Sequence, residues 1–289
     1  MLIYVNGDYV KDSEAVISPY DHGYLYGVGV FETFRVYGGH FFLFDDHYER
    51  LQAALFSLCI QWDMDKETIL TILKELLNRN HLQDAYIRLN VSAGVGEIGL
   101  QTEPYTAPSV VIFIKPLPVS NAIVKKTGVI LTLPRNTAEG PFRLKSHHYL
   151  NNILGKREIG SDPLKEGIFL TKEGYIAEGV VSNIFFVKNQ ALYTPTVETG
   201  ILNGITRQFI IELARKLHID VEEGFFSKEE LLDSDEVFVT NSIQEIVPIH
   251  AIGSVSFSAN PLTMKLIHAY RLYRFALRSK HELTKGDAK

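Results

Sequence analysis

The most regular pattern of apolar and polar positions lies between residues 85 and 93. Apolar side chains occupy every second position there, and polar side chains fill the positions between them, namely Tyr86, Arg88, Asn90 and Ser92. Successive side chains of a strand point to opposite faces. This segment is therefore predicted to be a strand with one buried face and one polar face.

Helical spacing of apolar residues occurs at four other places. We predict a helix capped by Asp45, with apolar positions at 51, 54, 55 and 58, and a second helix from Lys66 to Asn78. A third helix begins near Gly204. The pair Asn260-Pro261 is typical of a helix start with proline at its first position, so a C-terminal helix is predicted there.

The rest of the pattern alternates short strands with turn signals. Strands are predicted at 3–5, 30–37, 109–114, 129–133, 167–171, 183–187, 191–194 and 236–240. Residues 115–120, KPLPVS, interrupt the pattern. We predict an N-terminal α+β domain at 1–116, a linker at 117–122 and a C-terminal domain at 123–289. This mixture favours a two-domain α+β fold over a doubly wound sheet.

Composition narrows the function classes. The chain has 289 residues and a net charge of −5, which argues against nucleic acid as a partner. Its start, MLIYVNGDYV, lacks a signal-peptide pattern, and no run approaches the roughly 18 apolar residues of a membrane span. We expect a cytoplasmic protein with no membrane partner. The single cysteine, Cys59, continues a helical pattern and is predicted to be a small core residue.

Two conspicuous motifs are weak evidence for chemistry. Residues 94–99, GVGEIG, match the dinucleotide pattern G-x-G-x-x-G, but the next residues contain two prolines and no helical periodicity. A glycine-rich loop is therefore favoured over a nucleotide site. His147 and His148 are adjacent, so their side chains diverge, and we predict no metal site.

Three further segments leave structural and functional interpretations open. At 200–207, GILNGITR, a turn becomes a helix whose first N–H groups either bind an anion or form an ordinary helix start. Thr240-Asn241-Ser242 ends a strand and suits either a phosphate or a polar loop. Glu178 is either a solvated turn residue or a buried carboxylate with a cationic partner.

Taken together and in order, these segments resemble the fold-type IV pyridoxal-phosphate enzymes. The resemblance is carried by SPYDHGYLYGVGVFETFRV, HYERLQAAL, LKSHHYLNNIL, EGVVSNIFFV, GILNGITRQF and FVTNSIQEIVPI, which span nearly the whole chain. Parts of these segments are most similar to the bacillar type of 4-amino-4-deoxychorismate lyase. The resemblance implies a larger, β-rich C-terminal domain that binds pyridoxal 5'-phosphate.

The resemblance also implies a role for each candidate residue. Lys145 matches the lysine that bonds to the cofactor's aldehyde, and Glu178 matches the acid beside its pyridine nitrogen. Arg50 matches the arginine that binds the cofactor's phosphate. The other cofactor contacts that it implies are Tyr149, Ile205, Thr206, Asn241 and Ser242.

Within the family, the sequence favours a lyase. The loop SAGVGEIGL lacks the arginine and histidine that D-amino acid aminotransferases use for the substrate carboxylate. We expect 4-amino-4-deoxychorismate to be converted to 4-aminobenzoate and pyruvate, a step of folate biosynthesis. The alternative is a D-amino acid or branched-chain aminotransferase. Besides Lys145 and Glu178, Thr33 is a catalytic candidate near the leaving group, and Arg88 is a candidate for substrate binding. Relatives imply a homodimer.

Overall fold

The computed structural model describes residues 1–257 and 260–287 and divides into two compact units. Unit 1 comprises Met1–Ser120, Leu144–His148 and Phe275–Ser279; unit 2 comprises Asn121–Arg143, Tyr149–Arg274 and the residues from Lys280 onward. The linker at 117–122 stays a prediction. The segment that carries Lys145 belongs to unit 1, although it was predicted to lie in the C-terminal domain.

Unit 1 is built on an antiparallel sheet with the strand order β2-β1-β6-β5-β3-β4. Its strands are β1 (Leu2–Val5), β2 (Asp8–Lys11), β3 (Gly29–Tyr37), β4 (His40–Phe41), β5 (Ala85–Ser92) and β6 (Ser109–Pro116). Its helices are α1 (His22–Leu25), α2 (Phe44–Ser57) and α3 (Lys66–Arg79). β5 pairs along its whole length with β3 and with β6, so it lies inside the sheet.

β5 confirms the alternating pattern. Its apolar side chains are at most 2% exposed, whereas the polar side chains between them are half-buried. The apolar face packs against α2 and α3 in one cluster, whose members include Leu51, Leu55, Ile69, Leu73 and Leu76. Burial of each such side chain contributes roughly 1.5–3 kcal/mol. The helices therefore cover one face of the sheet, and Arg88 lies on the other.

Two details of unit 1 differ from the predictions. α2 begins after Leu43, which has a φ of 55°, so Asp45 lies in the first turn and does not cap the helix. Cys59 is exposed because α2 ends before it and its own φ is 54°. The predicted strand at 109–114 is confirmed as β6, in which buried and more exposed positions alternate along most of the length.

Unit 2 is built on a mixed sheet with the order β12-β11-β10-β13-β14-β7-β8-β9, and β15 pairs with β14. Its strands are β7 (Lys126–Ile130), β8 (Lys165–Leu170), β9 (Ile176–Gly179), β10 (Asn183–Lys188), β11 (Ala191–Pro195), β12 (Val221–Gly224), β13 (Glu236–Asn241), β14 (Glu245–Ile252) and β15 (Val255–Ser256). Its α-helices are α4 (Leu150–Ile159), α5 (Ile205–Lys216), α6 (Lys228–Leu232) and α7 (Pro261–Tyr273). Two 3₁₀ helices span Val197–Thr199 and Lys280–Asp287.

β7 lies earlier in the chain than the strand predicted at 129–133. Lys126 can enter the sheet because its ammonium is buried 2.7 Å from the Glu166 carboxylate. The backbone N–H groups of Thr132 and Leu133 donate instead to the Glu158 side chain, at 2.6 and 3.3 Å. The ion pair of Lys126 with Glu166 and the bonds from Thr132 and Leu133 to Glu158 together explain why β7 begins and ends earlier than predicted.

Both units combine sheets and helices, which confirms the predicted α+β class. The predicted helices at Gly204 and Asn260-Pro261 are confirmed as α5 and α7, with proline in the first turn of α7. Within the described parts of the chain, no helix combines the length and the apolar character needed to cross a bilayer.

Candidate active site

Lys145 is fixed to the sheet of unit 1 through its backbone. Phe31 N donates to Lys145 O at 2.9 Å, and His147 N donates to Gly29 O at 3.0 Å. These two bonds flank an antiparallel bridge between Val30 and Ser146. In such a ladder, opposite and alternate residues share a face. The side chains of Lys145 and His147 therefore project to the same side of β3 as that of Phe31.

The same face carries two other residues predicted from the sequence. Thr33 lies directly opposite Arg88, and Phe31 directly opposite Asn90. The Phe31 ring centroid is 3.7 Å from the Arg88 guanidinium carbon and 4.7 Å from Lys145 Nζ. An aromatic face attracts cationic side chains. Arg88 Nε also donates to Asn90 Oδ1 at 3.1 Å. Unit 1 thus brings Lys145, Thr33 and Arg88 together.

His147 lies beside Lys145 on this face. Its ring stacks on Phe31, with centroids 6.3 Å apart and planes at 24°. Its Nε2 is buried and has no hydrogen-bond partner among the described residues. Burial, with Arg88 as the next cause, lowers the pKa of His147 to about 4. The ring is therefore neutral at neutral pH. His148 points elsewhere, and its Nε2 lies 3.1 Å from Tyr26 O.

Arg50 takes part in a buried network on the opposite face of β3. Its Nε and Nη2 donate to the two oxygens of Glu32 at 2.8 and 2.7 Å, and His47 Nδ1 lies 2.5 Å from Glu32 Oε2. Burial alone would raise the pKa of Glu32, but Arg50 and His47 outweigh it and lower the pKa to about 2. Glu32 is therefore ionised and orients Arg50 by a bidentate pair.

The glycine-rich loop at 94–99 is held by contacts with the segment before β3. His22 Nε2 lies 2.9 Å from Glu97 O, and Gly99 N donates to the Tyr26 hydroxyl at 2.8 Å. No helix begins between residues 94 and 108. The loop interpretation is confirmed, because a dinucleotide site needs a helix N-terminus at this point.

Glu178 lies in β9 of unit 2 and is 4% exposed. Arg135 Nε donates to its Oε1 at 2.8 Å, and Leu202 N donates to its Oε2 at 3.1 Å. Arg143 Nε lies 3.9 Å from the same Oε1. Of the two interpretations of Glu178, the buried carboxylate with a cationic partner is the one that applies.

Arg135 and the asparagines that bind its side chain were not predicted from the sequence. Its Nη1 donates to Asn151 Oδ1 at 2.7 Å and to Asn152 Oδ1 at 3.3 Å, both in the first turn of α4. Burial is the main cause that lowers the pKa of Arg143, with Arg135 next. A buried acid requires a cation, but the sequence does not indicate which arginine supplies it.

A second polar site lies where α5 begins and β13 ends. Gly204 is the N-cap of α5, and no side chain caps the helix. The hydroxyls of Thr206 and Ser242 lie 3.1 Å apart. The first N–H groups of the helix, at Ile205 and Thr206, lie at the positive end of its dipole. Two hydroxyls and these N–H groups form an arrangement that suits a phosphate.

Asn183 joins Glu178 to this polar site. Its Nδ2 donates to Leu202 O at 2.8 Å and to Glu178 Oε2 at 3.5 Å. A Cβ at Gly204 would collide with Asn183 Oδ1, so glycine allows the turn before α5 to approach this side chain. Asn183 therefore contacts both Glu178 and the turn that leads into α5.

Asn241 and Tyr149 occupy supporting positions. Asn241 Nδ2 donates to Val181 O at 3.2 Å, which ties the loop after β13 to the turn after Glu178. Tyr149 precedes α4 as its N-cap residue. The contribution of Tyr149 to cofactor binding stays a prediction.

The predicted residues thus fall into two groups. Unit 1 holds Lys145, Thr33 and Arg88 on one face of its sheet and Arg50 on the other. The group in unit 2 consists of Glu178, Ile205, Thr206, Asn241, Ser242 and Tyr149. The supporting residues that were not predicted from the sequence are Glu32, His47, Arg135 and Asn183. They are buried polar residues. Glu32, His47 and Asn183 lie in segments that carry the family resemblance, but the local sequence does not show which partner each of them contacts.

Comparisons with known proteins identify the family of this chain. The profile of the amino-transferase class IV family matches residues 29–252. The aminodeoxychorismate lyase of Bacillus subtilis is 48% identical over 89% of each chain. The D-alanine aminotransferase of Bacillus licheniformis is 30% identical over 91% of this chain and 93% of its own. The branched-chain aminotransferase of Thermoproteus uzoniensis, solved with norvaline, has a TM-score of 0.87 and 30% identity, and the match covers 98% of this chain and 97% of the other.

Proposed function

We propose that this chain, which belongs to the amino-transferase class IV family, is a pyridoxal-phosphate-dependent 4-amino-4-deoxychorismate lyase. The observation that carries the proposal is its 48% identity with the lyase of Bacillus subtilis over most of both chains, against 30% with the D-alanine aminotransferase. The loop at 94–99 also lacks the arginine and histidine expected of a D-amino acid aminotransferase.

The side chains suit the groups of pyridoxal 5'-phosphate. Lys145 supplies a primary amine for its aldehyde, and Glu178 supplies a fixed carboxylate for its pyridine N–H. The hydroxyls of Thr206 and Ser242 and the uncapped start of α5 suit its phosphate. Arg50 is the proposed cationic phosphate ligand. Further proposed contacts are Tyr149, Ile205 and Asn241.

When bound, the cofactor supplies an electron sink for the substrate carbon that bears the amine. The neutral ε-amino group of Lys145 is the proposed base and takes the proton from that carbon. The bond between the ring and the enolpyruvyl oxygen breaks with its electron pair on oxygen, and the ring becomes aromatic. Lys145 then returns the proton to the methylene carbon, which yields pyruvate.

The face of β3 and β5 beside Lys145 is the proposed place for the substrate. Arg88 supplies a cation for a substrate carboxylate, and it is kept in place by Phe31 and Asn90. Thr33 lies opposite Arg88, so its hydroxyl is the proposed neighbour of the leaving group. Both roles follow from their position on the face that also presents the reactive lysine.

A homodimer in the cytoplasm is part of the proposal. Unit 1 exposes apolar side chains on two segments that contact each other through Asp21 and Val95. These side chains are Val16, Ile17, Tyr20, Tyr24, Val95, Ile98 and Leu100. Exposed apolar clusters of this kind are typical of protein interfaces. The segments at 16–24 and 95–100 are therefore the proposed dimer contact.

The test of the lyase function supplies 4-amino-4-deoxychorismate with no keto acid. We expect 4-aminobenzoate and pyruvate in equal amounts, because the reaction needs no second substrate. D-Alanine or leucine with 2-oxoglutarate serves as the comparison. If only these pairs react, the protein is an aminotransferase and the lyase proposal is wrong.

The role of Lys145 is tested by its covalent bond to the cofactor. Borohydride reduction should fix the cofactor's mass to the peptide that contains Lys145, as measured by mass spectrometry. Lys145→Ala should lose this adduct and nearly all turnover. Lys172→Ala, at an exposed turn, is the matched control and should keep both. An adduct on another lysine would contradict the assignment.

A further inference from the structure

The imidazole of His147 lies beside the proposed base, and the proposed steps of the reaction do not involve it. His147 and Lys145 are alternate residues of one extended segment, so their side chains share a face. Both approach the same ring: Lys145 Nζ lies 4.7 Å from the Phe31 centroid, and the His147 ring stacks on it at 6.3 Å. A ligand bonded to the lysine on this face has the imidazole as a neighbour.

The Nε2 atom of His147 is unsatisfied. It is buried, and no partner for it exists within residues 1–257 and 260–287. Most buried polar atoms in proteins have a hydrogen-bond partner, so an exception requires an explanation. A bound molecule that supplies the missing partner is one such explanation.

The orientation of His147 is restricted on two sides. Its backbone N–H donates to Gly29 O at 3.0 Å. Its ring lies so close to Gly29 that a Cβ there would be 2.6 Å from two ring atoms. Phe31 packs along its plane. The ring is therefore held in place with Nε2 unsatisfied, as a preorganised donor would be.

Burial, helped by nearby cationic groups, keeps His147 neutral. Burial lowers the pKa of the ring most; Arg88 and His148 lower it too, and Asp21 opposes them. A neutral imidazole still carries one N–H group. It can donate that hydrogen bond to an oxygen that gains negative charge without losing its proton.

We propose that His147 is a catalytic residue whose Nε2–H donates a hydrogen bond to the oxygen of the departing enolpyruvyl group. This inference rests on the proposed lyase function. The carbon–oxygen bond of the substrate breaks, both electrons stay on the oxygen, and the N–H stabilises the charge that develops there. The proton that converts the enol form to pyruvate comes from Lys145, so the imidazole is unchanged after the reaction.

The kinetic test compares two substitutions in the holoenzyme. His147→Phe keeps a flat ring against Phe31 but has no donor, so kcat should fall about 100-fold while KM changes little, since the bond strengthens only as charge develops. His147→Gln restores an N–H at similar reach and should recover part of kcat. His148→Phe is the matched control, because the Nε2 of that histidine already contacts Tyr26 O.

Two kinetic outcomes would overturn the proposal. If His147→Phe keeps the wild-type kcat, the imidazole has no role in bond cleavage. If KM rises and kcat does not change, His147 binds the substrate equally in the ground state and does not stabilise the leaving group. If the wild-type protein releases no pyruvate, the lyase function itself is wrong; loss of activity in His147→Phe alone cannot be confused with that result.

A second measurement does not depend on turnover. Imidazole ¹⁵N NMR of the holoenzyme should show His147 neutral with its proton on Nε2 from about pH 6 to 8, and the signal is assigned by its loss in His147→Gln. A proton on Nδ1, or a charged ring in this range, would overturn the proposal. This readout also decides the case in which His147→Phe does not fold.

Discussion

Each unit pairs a buried glutamate with an arginine near the predicted chemistry, but the hydrogen bonds of the two carboxylates differ. In unit 1, Glu32 accepts three short contacts: two from Arg50 at 2.8 and 2.7 Å, and one from His47 at 2.5 Å. In unit 2, Glu178 accepts one short contact from Arg135 at 2.8 Å, and its other neighbours are at 3.1 Å or more.

We propose that this difference separates an acid that supports Arg50, Glu32, from one that takes part in the chemistry, Glu178. A carboxylate offers about four acceptor positions. Short bonds from the protein fill most of the acceptor positions on Glu32, so we infer that Glu32 serves to orient Arg50. Glu178 accepts one short bond from Arg135 and two longer ones, so it is the acid proposed to accept a further N–H from the pyridine nitrogen. Each substitution below tests one side of this contrast.

Among the substitutions that test this contrast, Glu178→Gln is expected to have the largest effect. The amide cannot favour a protonated pyridine nitrogen, so kcat should fall by about 10²–10³, the range found when a preorganised electrostatic partner is removed. Steady-state kinetics and the cofactor's absorbance spectrum measure the two consequences. Glu173→Gln, on an exposed turn, is the control. A kcat within about twofold of wild type would contradict an acting role for Glu178.

Glu32→Gln should affect stability more than chemistry. The folded-state pKa of Glu32 is about 2 and its ordinary value is 4.5, a gap that corresponds to about 3 kcal/mol of unfolding free energy at pH 7. Because the folded pKa is depressed, this stabilisation is present above about pH 4.5 and is lost as the pH falls towards 2.

Urea unfolding at several pH values measures this contribution. The difference between wild type and Glu32→Gln should be largest near neutral pH and should shrink steadily below pH 4.5. Glu49→Gln, exposed on α2, should show no such trend. A difference that is independent of pH would mean that the carboxylate's charge is not what stabilises unit 1.

Arg50→Lys should have an intermediate effect. Lysine keeps the charge but cannot form the two-pronged pair with Glu32, so the cation loses its fixed orientation. We expect cofactor affinity to weaken about tenfold, measured by titrating the apoprotein with pyridoxal phosphate. Arg79→Lys, in a surface pair with Glu75, is the control. Unchanged affinity would indicate that Arg50 does not bind the phosphate.

The smallest effects are expected for Thr206→Ala and Ser242→Ala. Each removes one hydroxyl from the proposed phosphate site and should weaken cofactor affinity about fivefold, the value of one modest hydrogen bond. Because the two hydroxyls contact each other at 3.1 Å, the double variant should lose less than the product of the two single effects. Strictly multiplicative losses would show that the hydroxyls act independently.

Local elements and most candidate residues could be predicted from the amino-acid sequence alone. The alternation at 85–93 became β5, and the helix starts at Gly204 and Asn260-Pro261 became α5 and α7. These features could be predicted because periodicity and capping depend on neighbouring residues. The family resemblance was also present in the sequence, since its segments occur in a fixed order.

The pairing of residues that are distant in the chain required the folded structure. Folding placed Lys145 and His147 against β3, gave Glu178 its partner Arg135, and brought Thr206 within 3.1 Å of Ser242. It also overturned local expectations at Asp45, at Cys59 and in the start of β7. For the polar pairs, the physical reason is the same in each case. A buried polar atom bonds to a partner that the order of the strands brings close to it. That order cannot be predicted from neighbouring residues in the sequence.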